Sequence, residues 1–338
     1  MREEQHKSPN SPAPKKKRVI IWGLLVIPGI VAGWFIVNRL VSPWTVVRTI
    51  DLKTTEQELM TSEAAVGSLR VGCYNIAHGR GGMLGSSNWD GGDNKAKQNR
   101  LKEIAQLLKH AQLDIIVLNE VDFSSFWSGH VDQATIIARE AGYRYIVEQR
   151  NIDVSIPLMN LRFGNAILSN FPLSNARFLD FPHPSRMQEL CVGGFKDGVV
   201  ATATLPNGEQ IEIVAVHLSL KGEQYRCGSV KLFMELQKQT TLPMIAMGDF
   251  NSTADGWPDH ATDASGNNCI DMLLADKNWS TVPAANPVAP ADFTFPSQEP
   301  VRAIDWICVS SPLSISDKIV IQSNLSDHLP VTAMISKE

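Results

Sequence analysis

Cysteine is scarce in this sequence and arranged without a metal or redox pattern. Cys73, Cys191, Cys227, Cys269 and Cys308 show no Cys-x-x-Cys and no Cys/His metal spacing. That argues against a thiolate metal site. Cys73 and Cys308 fall inside apparent core strands, where a thiol is inert packing; two of the other three could pair in an oxidising space, and spacing does not choose which. Positive charge is not in excess either, with 31 Lys/Arg against 35 Asp/Glu and a net charge of −4. Residues 1–68 hold nine of those basic and six of those acidic residues, so the remaining body is about seven charges negative. Such a body argues against a broad basic face that grips long nucleic acid. Repeats, low-complexity tracts and a nucleophile elbow are also missing from it. What is present, 43% hydrophobic and 20% charged residues, describes an ordinary globular chain with a sizeable core.

The N-terminus departs from that average. Pro14-Lys-Lys-Lys-Arg18 precedes an uncharged run from Val19 to Val37, long enough to cross a hydrocarbon core as a helix, with Trp22 and Trp34 near its ends. No Ala-x-Ala-like cleavage site follows before Asn38-Arg39, which favours an uncleaved anchor over a signal peptide. The basic flank before the span places the N-terminus in the cytoplasm and the body outside. The expected organisation is a cytoplasmic basic tail over 1–18, a transmembrane anchor over 19–41, a linker over 42–68 with a short helix from Thr54 to Ala65, and one large globular domain over 69–338.

From Leu69 onward apolar runs of strand length alternate with helical patterns. Leu69–Tyr74, Ile115–Leu118, Asn165–Leu168, Val199–Leu205, Ile211–Val216, Met244–Met247, Ile304–Val309 and Val331–Ile335 read as strands. Lys95–His110 is an amphipathic helix, with Val131–Ala141 and Ser229–Gln239 as weaker helices. Gly79–Asp93, Gln149–Phe163 and Asp180–Gly194 read as loops. Many strands and few helices predict a layered α/β sandwich.

Polar groups recur where these strands end. Asn75 follows Val71-Gly-Cys-Tyr, Glu120 follows Ile115-Ile-Val-Leu-Asn, and His217 follows Val214-Ala-Val. Asp249 and Asn251 follow Ile245-Ala-Met-Gly, Asp305 lies in Ala303-Ile-Asp-Trp-Ile, and Asp327 and His328 precede the last strand. Carboxylate, imidazole and amide groups at the rim of a core are expensive to bury, so their gathering points to a reaction site. Each has a plainer reading alone: Glu120 as a cap, His217 as a core histidine, Asp305 paired with Arg302, Asn75 in an Asx turn, His78 as plain surface. Hard oxygen donors such as Glu120 and Asp327 suit Mg²⁺, with Mn²⁺ as the alternative, rather than zinc. Histidines beside carboxylates and amides suit in-line hydrolysis of a phosphate ester.

The order of these segments resembles the endonuclease/exonuclease/phosphatase superfamily of metal-dependent phosphoesterases. The matching stretches are Tyr-Asn75-Ile, Leu-Asn-Glu120-Val, Phe-Gly-Asn165-Ala-Ile-Leu-Ser, Val-His217-Leu, Gly-Asp249-Phe-Asn251, Ile-Asp305-Trp-Ile and Ser-Asp327-His328-Leu-Pro-Val. The resemblance implies a four-layered α/β sandwich, two packed mixed β-sheets flanked by helices. It implies Glu120 as metal ligand with Asn75 as ligand or support and Asp327 completing the metal site. His217 and Asn251 would hold the scissile phosphate, and Asp249 would orient or deprotonate water. His328, oriented by Asp305, would be general base or phosphate-binding imidazolium. The Trp-Cys-Asp-Arg segment of inositol 5-phosphatases is missing, since that region reads Arg302-Ala-Ile-Asp-Trp-Ile. Asn75-Ile-Ala-His-Gly-Arg-Gly and Asp292-Phe-Thr-Phe-Pro-Ser resemble the broad bacterial members instead.

The expected protein is therefore a membrane-anchored phosphoric ester hydrolase facing out of the cytoplasmic membrane. A lipid-headgroup phosphodiester is its expected substrate, because a tether raises the effective headgroup concentration. An extracytoplasmic nuclease acting on DNA or RNA is the alternative, served by a basic groove around Arg162, Arg186, Lys221 or Arg226. A catalytically inactive binding module is a minor alternative, and no protein partner is expected.

Overall fold

Two parallel strands set the frame: β2 (Ser68–Asn75) pairs with β3 (Ile115–Asp122), Val71 opposite Ile115 and Asn75 opposite Asn119. Parallel neighbours need a crossover, and α1 (Asn94–Ala111) supplies it. Asp93 caps α1 by accepting from the Ala96 amide, and Leu101, Ile104, Ala105 and Leu108 form its buried stripe. This computed structural model describes residues 26, 28–34, 36, 46–52, 68–82, 87, 90–156, 159–184, 196–282 and 289–337.

The remaining elements of the body are β1 (Val46–Asp51), α2 (Gln133–Ala141), β4 (Tyr145–Ile156), β5 (Met159–Ser169), β6 (Leu173–Leu179), β7 (Gly198–Thr204) and β8 (Gln210–His217). They continue with α3 (Glu223–Lys238), β9 (Met244–Asp249), α4 (Cys269–Ala275), β10 (Trp279–Thr281), β11 (Asp305–Ser310), β12 (Leu313–Val320) and β13 (Val331–Lys337). A seven-stranded sheet runs β1-β4-β5-β3-β2-β13-β12, and a six-stranded sheet runs β10-β11-β9-β8-β7-β6. Both are mixed, with β2/β3 and β8/β9 as their parallel pairs.

The strands are apolar on both faces because both faces are covered. Val71, Cys73 and Val117 of the first sheet meet Val199, Ala215 and Met247 of the second between the layers. Tyr74, Ile116 and Leu118 turn the other way, under α1 and α2. Val214, Val216 and Ala246 pack under α3 and α4 with Phe233 and Ile270. The expected sandwich of two mixed sheets flanked by helices is what the chain forms.

Several elements differ from the sequence reading. Gln149–Phe163 is not a loop but most of the β4–β5 hairpin, with Arg150 opposite Gly164 and Val154 opposite Leu161. Its polar residues suggested exposure, yet Gln149, Arg150, Asn151 and Asp153 are buried and hydrogen-bonded among themselves. Residues 46–51, within the expected linker, form β1 on the edge of β4 because Val46, Val47, Thr49 and Ile50 suit a pleated strand. α3 begins six residues before Ser229, since Glu223 and Arg226 pair inward instead of facing solvent. Cys73, Cys227, Cys269 and Cys308 are buried free thiols, and burial pushes Cys308 up to about 12, so packing is their role. Cys191 and the expected helix 54–65 lie outside the described residues.

The N-terminal unit, residues 1–43, is a separate body. Its described residues are helical, and Val26, Ile30, Val31 and Ile36 are exposed. Among the described residues no helix is long and apolar enough to cross a membrane, and much of the expected span 19–41 lies outside them.

Candidate active site

The strand ends converge on one rim. The pairing of β3 with β5 shifts register between Leu118 and Val121 before it resumes opposite Gly164 and Phe163, and Glu120 in the shift takes φ 53°. The bulge re-aims a carboxylate that regular alternation would place elsewhere. Glu120 keeps 22% exposure, with Lys196 Nζ 3.2 Å from Oε1, His217 Nε2 3.9 Å from Oε1 and His78 Nε2 3.6 Å from Oε2. Burial works against its charge, but Lys196, His78 and His217 together hold the carboxyl well below the usual range.

Beside it lies Asp249 at the end of β9. Asn75 Nδ2 donates to its Oδ2 at 3.1 Å, the Asn251 amide donates to Oδ1 at 2.8 Å, and His217 Nε2 lies 3.5 Å from Oδ2. Burial lifts Asp249 to about 6; His328 opposes that rise and Asp305 adds to it. His328 donates Nδ1–H to Asp305 Oδ2 at 2.9 Å and turns Nε2 toward Asp249 at 3.8 Å. Burial disfavours its charge, but Asp305 and Asp249 outweigh that and raise it to about 10. Phe295 covers the ring at 4.7 Å between centroids. His217 is pushed the other way, well below its ordinary value, by burial and by the Lys196 cation.

Asn119 anchors this rim from below. Its Nδ2 donates to Asn165 Oδ1 at 2.8 Å and to the Val216 carbonyl at 3.0 Å, while its Oδ1 accepts the Asp249 amide at 3.0 Å. Gly248 makes the approach feasible: at φ 139° a Cβ there would lie 2.0 Å from the Val216 carbonyl oxygen.

Six of the eight sequence-predicted residues thus meet in one connected cluster: Asn75, Glu120, His217, Asp249, Asp305 and His328. Asn251 joins through the Asp249 carboxylate and donates Nδ2–H to the Leu218 carbonyl at 3.0 Å. Asp327 lies at the edge, paired with Arg80. Both ends of the Asn75 amide are engaged, since its Oδ1 accepts from Ala77 at 3.0 Å, which suits support of the site. Asp305 pairs with His328, not with Arg302, which stacks on Phe295 instead.

The sequence reading missed four participants. His78 is buried rather than surface, with Nδ1 on Asp122 Oδ1 at 2.9 Å; burial opposes its charge, but Asp122 and Glu120 raise it above its ordinary value. Asp122, Lys196 and Asn119 are the others. Asn119 alone carried a signal, as an amide inside an apolar run. Of the cations that a nucleic-acid groove would need, Arg162 is bound to Asp153 and Arg226 to Glu223.

The donor set fits a hard divalent cation. Asp305 Oδ1 is buried without a hydrogen-bond partner among the described residues, and ligand atoms of Asp249, Asp305 and His328 lie within 4.8 Å of one another. Among the described residues the cysteines are buried free thiols and none joins this group. Carboxylate oxygens with amide support are the chemistry of Mg²⁺ or Mn²⁺ sites.

The Endonuclease/Exonuclease/phosphatase family model matches residues 72–328, and the chain belongs to that family. It is therefore a metal-dependent hydrolase of phosphoric esters. Solved structures share the fold. An endonuclease/exonuclease/phosphatase from Beutenbergia cavernae is 18% identical, covering 80% of this chain and 72% of its own, with a TM-score of 0.56. The human Nocturnin catalytic domain with bound sulfate is also 18% identical, covering 86% and 97%, at 0.55. TDP2 from Caenorhabditis elegans is 16% identical, covering 84% and 77%, at 0.54. No curated protein matches the sequence.

Proposed function

We propose that this chain is a Mg²⁺-dependent phosphodiesterase, with Mn²⁺ as the alternative cation, acting by in-line attack of water. The Asp305–His328 dyad, aimed at Asp249 beside Glu120 and His217, carries the reading. Glu120 would hold the cation with Asp327 and the support of Asn75. Bound there, a divalent cation supplies polarisation of the phosphoryl oxygens. His328, charged at neutral pH, presents Nε2–H to developing oxyanion charge. Asp249, near 6, is the group able to orient water and take its proton. Environments that push two titrating groups apart in this way separate the charged donor from the base. His217, neutral, and Asn251 complete the phosphate cradle. Asp249, Asp305 and His328 compete as a metal site, since Asp305 Oδ1 has no hydrogen-bond partner among the described residues, but a charged His328 carries a proton on Nε2 and has no lone pair to give, which favours Glu120 as ligand.

The uncharged run Val19–Val37 supports a single-pass anchor with the body outside the cytoplasm, and the anchor supports a lipid-headgroup phosphodiester as substrate. The nuclease alternative loses ground where Arg162 and Arg226 are spent on internal ion pairs. Purified protein should hydrolyse bis-p-nitrophenyl phosphate with Mg²⁺; activity that survives EDTA would falsify the metal role. His328→Ala should lower turnover about a hundred- to ten-thousand-fold with folding intact. Sphingomyelin and phosphatidylinositol phosphates should outcompete DNA and RNA in a substrate panel, and the reverse ranking selects the nuclease. Protease added to intact cells should remove the body; full protection reverses the topology.

A further inference from the structure

Two histidines in this basin each lean on a buried carboxylate, and the reaction described above uses only His328. The second, His78, is built in as firmly. Asp122 Oδ1 accepts its Nδ1–H at 2.9 Å, and Asp122 Oδ2 accepts from Trp127 Nε1 at 2.8 Å. Gln133 donates to the His78 carbonyl at 2.8 Å and accepts the Asp122 amide at 2.9 Å. The rings of Trp127 and Phe163 meet the imidazole edge-on, at 5.6 and 5.1 Å between centroids. An apolar side chain would fill that slot without any of these partners, so filling space does not account for the arrangement.

The remaining nitrogen shows where the arrangement is aimed. Nε2 faces Glu120 Oε2 at 3.6 Å, while Oε1 of the same carboxylate faces Lys196 and His217. Both partners reach this position through left-handed backbone, His78 at φ 55° and Glu120 at φ 53°. A residue with a Cβ holds that conformation only where its surroundings impose it, and such residues gather at working sites.

We propose that His78 is a positioning residue for the cation site. It sets the orientation of the Glu120 carboxylate from the Oε2 side while Lys196 faces Oε1, and Asp122, Trp127 and Gln133 hold the ring. This rests on the reading of Glu120 as a cation ligand. Groups that orient a ligand carboxylate from behind set metal affinity without touching the metal.

Mn²⁺ affinity of the full chain, measured by calorimetry, tests it alongside the melting temperature of the metal-free protein. His78→Asn keeps an amide donor where Nδ1 lies and tolerates positive φ, so the bond to Asp122 stays and the reach to Glu120 goes. Its Mn²⁺ affinity should fall roughly 10- to 100-fold with the metal-free melting temperature unchanged. His78→Gln extends an amide to Glu120 and should recover most of that affinity. Equal affinity in wild type and His78→Asn overturns the proposal and leaves the cation reading standing. A wild type that binds no Mn²⁺ overturns both. Should His78→Asn melt early, His78→Gln decides: near-wild-type affinity supports the proposal, and a loss as large as that of Glu120→Gln overturns it.

Discussion

Asn119 is sealed from solvent behind the rim, yet deleting its amide should harm this protein more than most changes at the rim itself. The side chain is fully buried and ties β3 to β5, β8 and β9 through three hydrogen bonds of 2.8 to 3.0 Å. Asn119→Ala strands the Asn165 amide oxygen, the Val216 carbonyl and the Asp249 N–H in a dry interior. Each buried polar group left without a partner costs about 1–3 kcal/mol, and three with partial relaxation cost about 3–6 kcal/mol. Domains are stable by only about 5–15 kcal/mol, so this is a large share. At about 2–4 °C per kcal/mol for a body of this size, the melting midpoint should fall by about 6–24 °C. Turnover should fall as well, because the Asp249 backbone loses its pin, and a shift of about 1 Å at a reacting group can cost about 100-fold. Thermal melts and bis-p-nitrophenyl phosphate turnover, read well below both midpoints, measure the two effects. Asn119→Asp separates them, since it retains the acceptor for Asp249 and loses both donors. A midpoint within about 2 °C of wild type, less than one kcal/mol would move it, refutes the reasoning.

Two further outcomes follow from buried groups elsewhere. Glu148 is raised to about 7 by burial and by Asp132, against the pull of Arg150. The folded chain therefore binds its proton more tightly than the unfolded chain, whose value is near 4.5. The associated stability is full below about 4.5 and lost as pH rises through about 7, a few kcal/mol in all. Glu148→Gln should flatten that part of the stability–pH curve, and an unchanged slope between pH 5 and 8 would assign it to another group. Gly248→Ala sets a Cβ 2.0 Å from the Val216 carbonyl oxygen and 2.9 Å from Asn119 Oδ1. It should cost roughly 4 kcal/mol or more, and a soluble variant with a wild-type urea midpoint would contradict the geometry.

The parts of the fold legible in the sequence are those where hydropathy and burial coincide. β2, β3, β8 and β9 are apolar on both faces because a second sheet covers one face and helices the other, so their runs stand out. The β4–β5 hairpin was not legible for the opposite reason. Arg150 is held between Glu148 at 3.0 Å and Asp153 at 2.7 Å, so charge there signals a paired interior network and not a surface. The start of α3 was hidden the same way, by Glu223 and Arg226 satisfying each other inside.

The site shows a related division. Asn75, His217, Asp249 and Asp305 could be found because they sit at the ends of legible strands. Glu120 and Asn251 could be found as residues too, but the conformations that aim them could not: Glu120 needs a bulge, Asn251 a backbone at φ 50° and His78 one at φ 55°, and no residue pattern marks a left-handed position that is not glycine. Those conformations are held from outside the local sequence: Asn251 through its amide on Asp249 Oδ1 and its side chain on Leu218, His78 through Gln133 and Asp122. A short motif therefore identifies which groups are available, while the long-range amide and carboxylate contacts decide where they point. Substitutions at Asn119, Gln133 or Asp122, of which only Asn119 lies in a stretch matching the family, should consequently alter metal affinity and turnover while every strand-end residue stays in place.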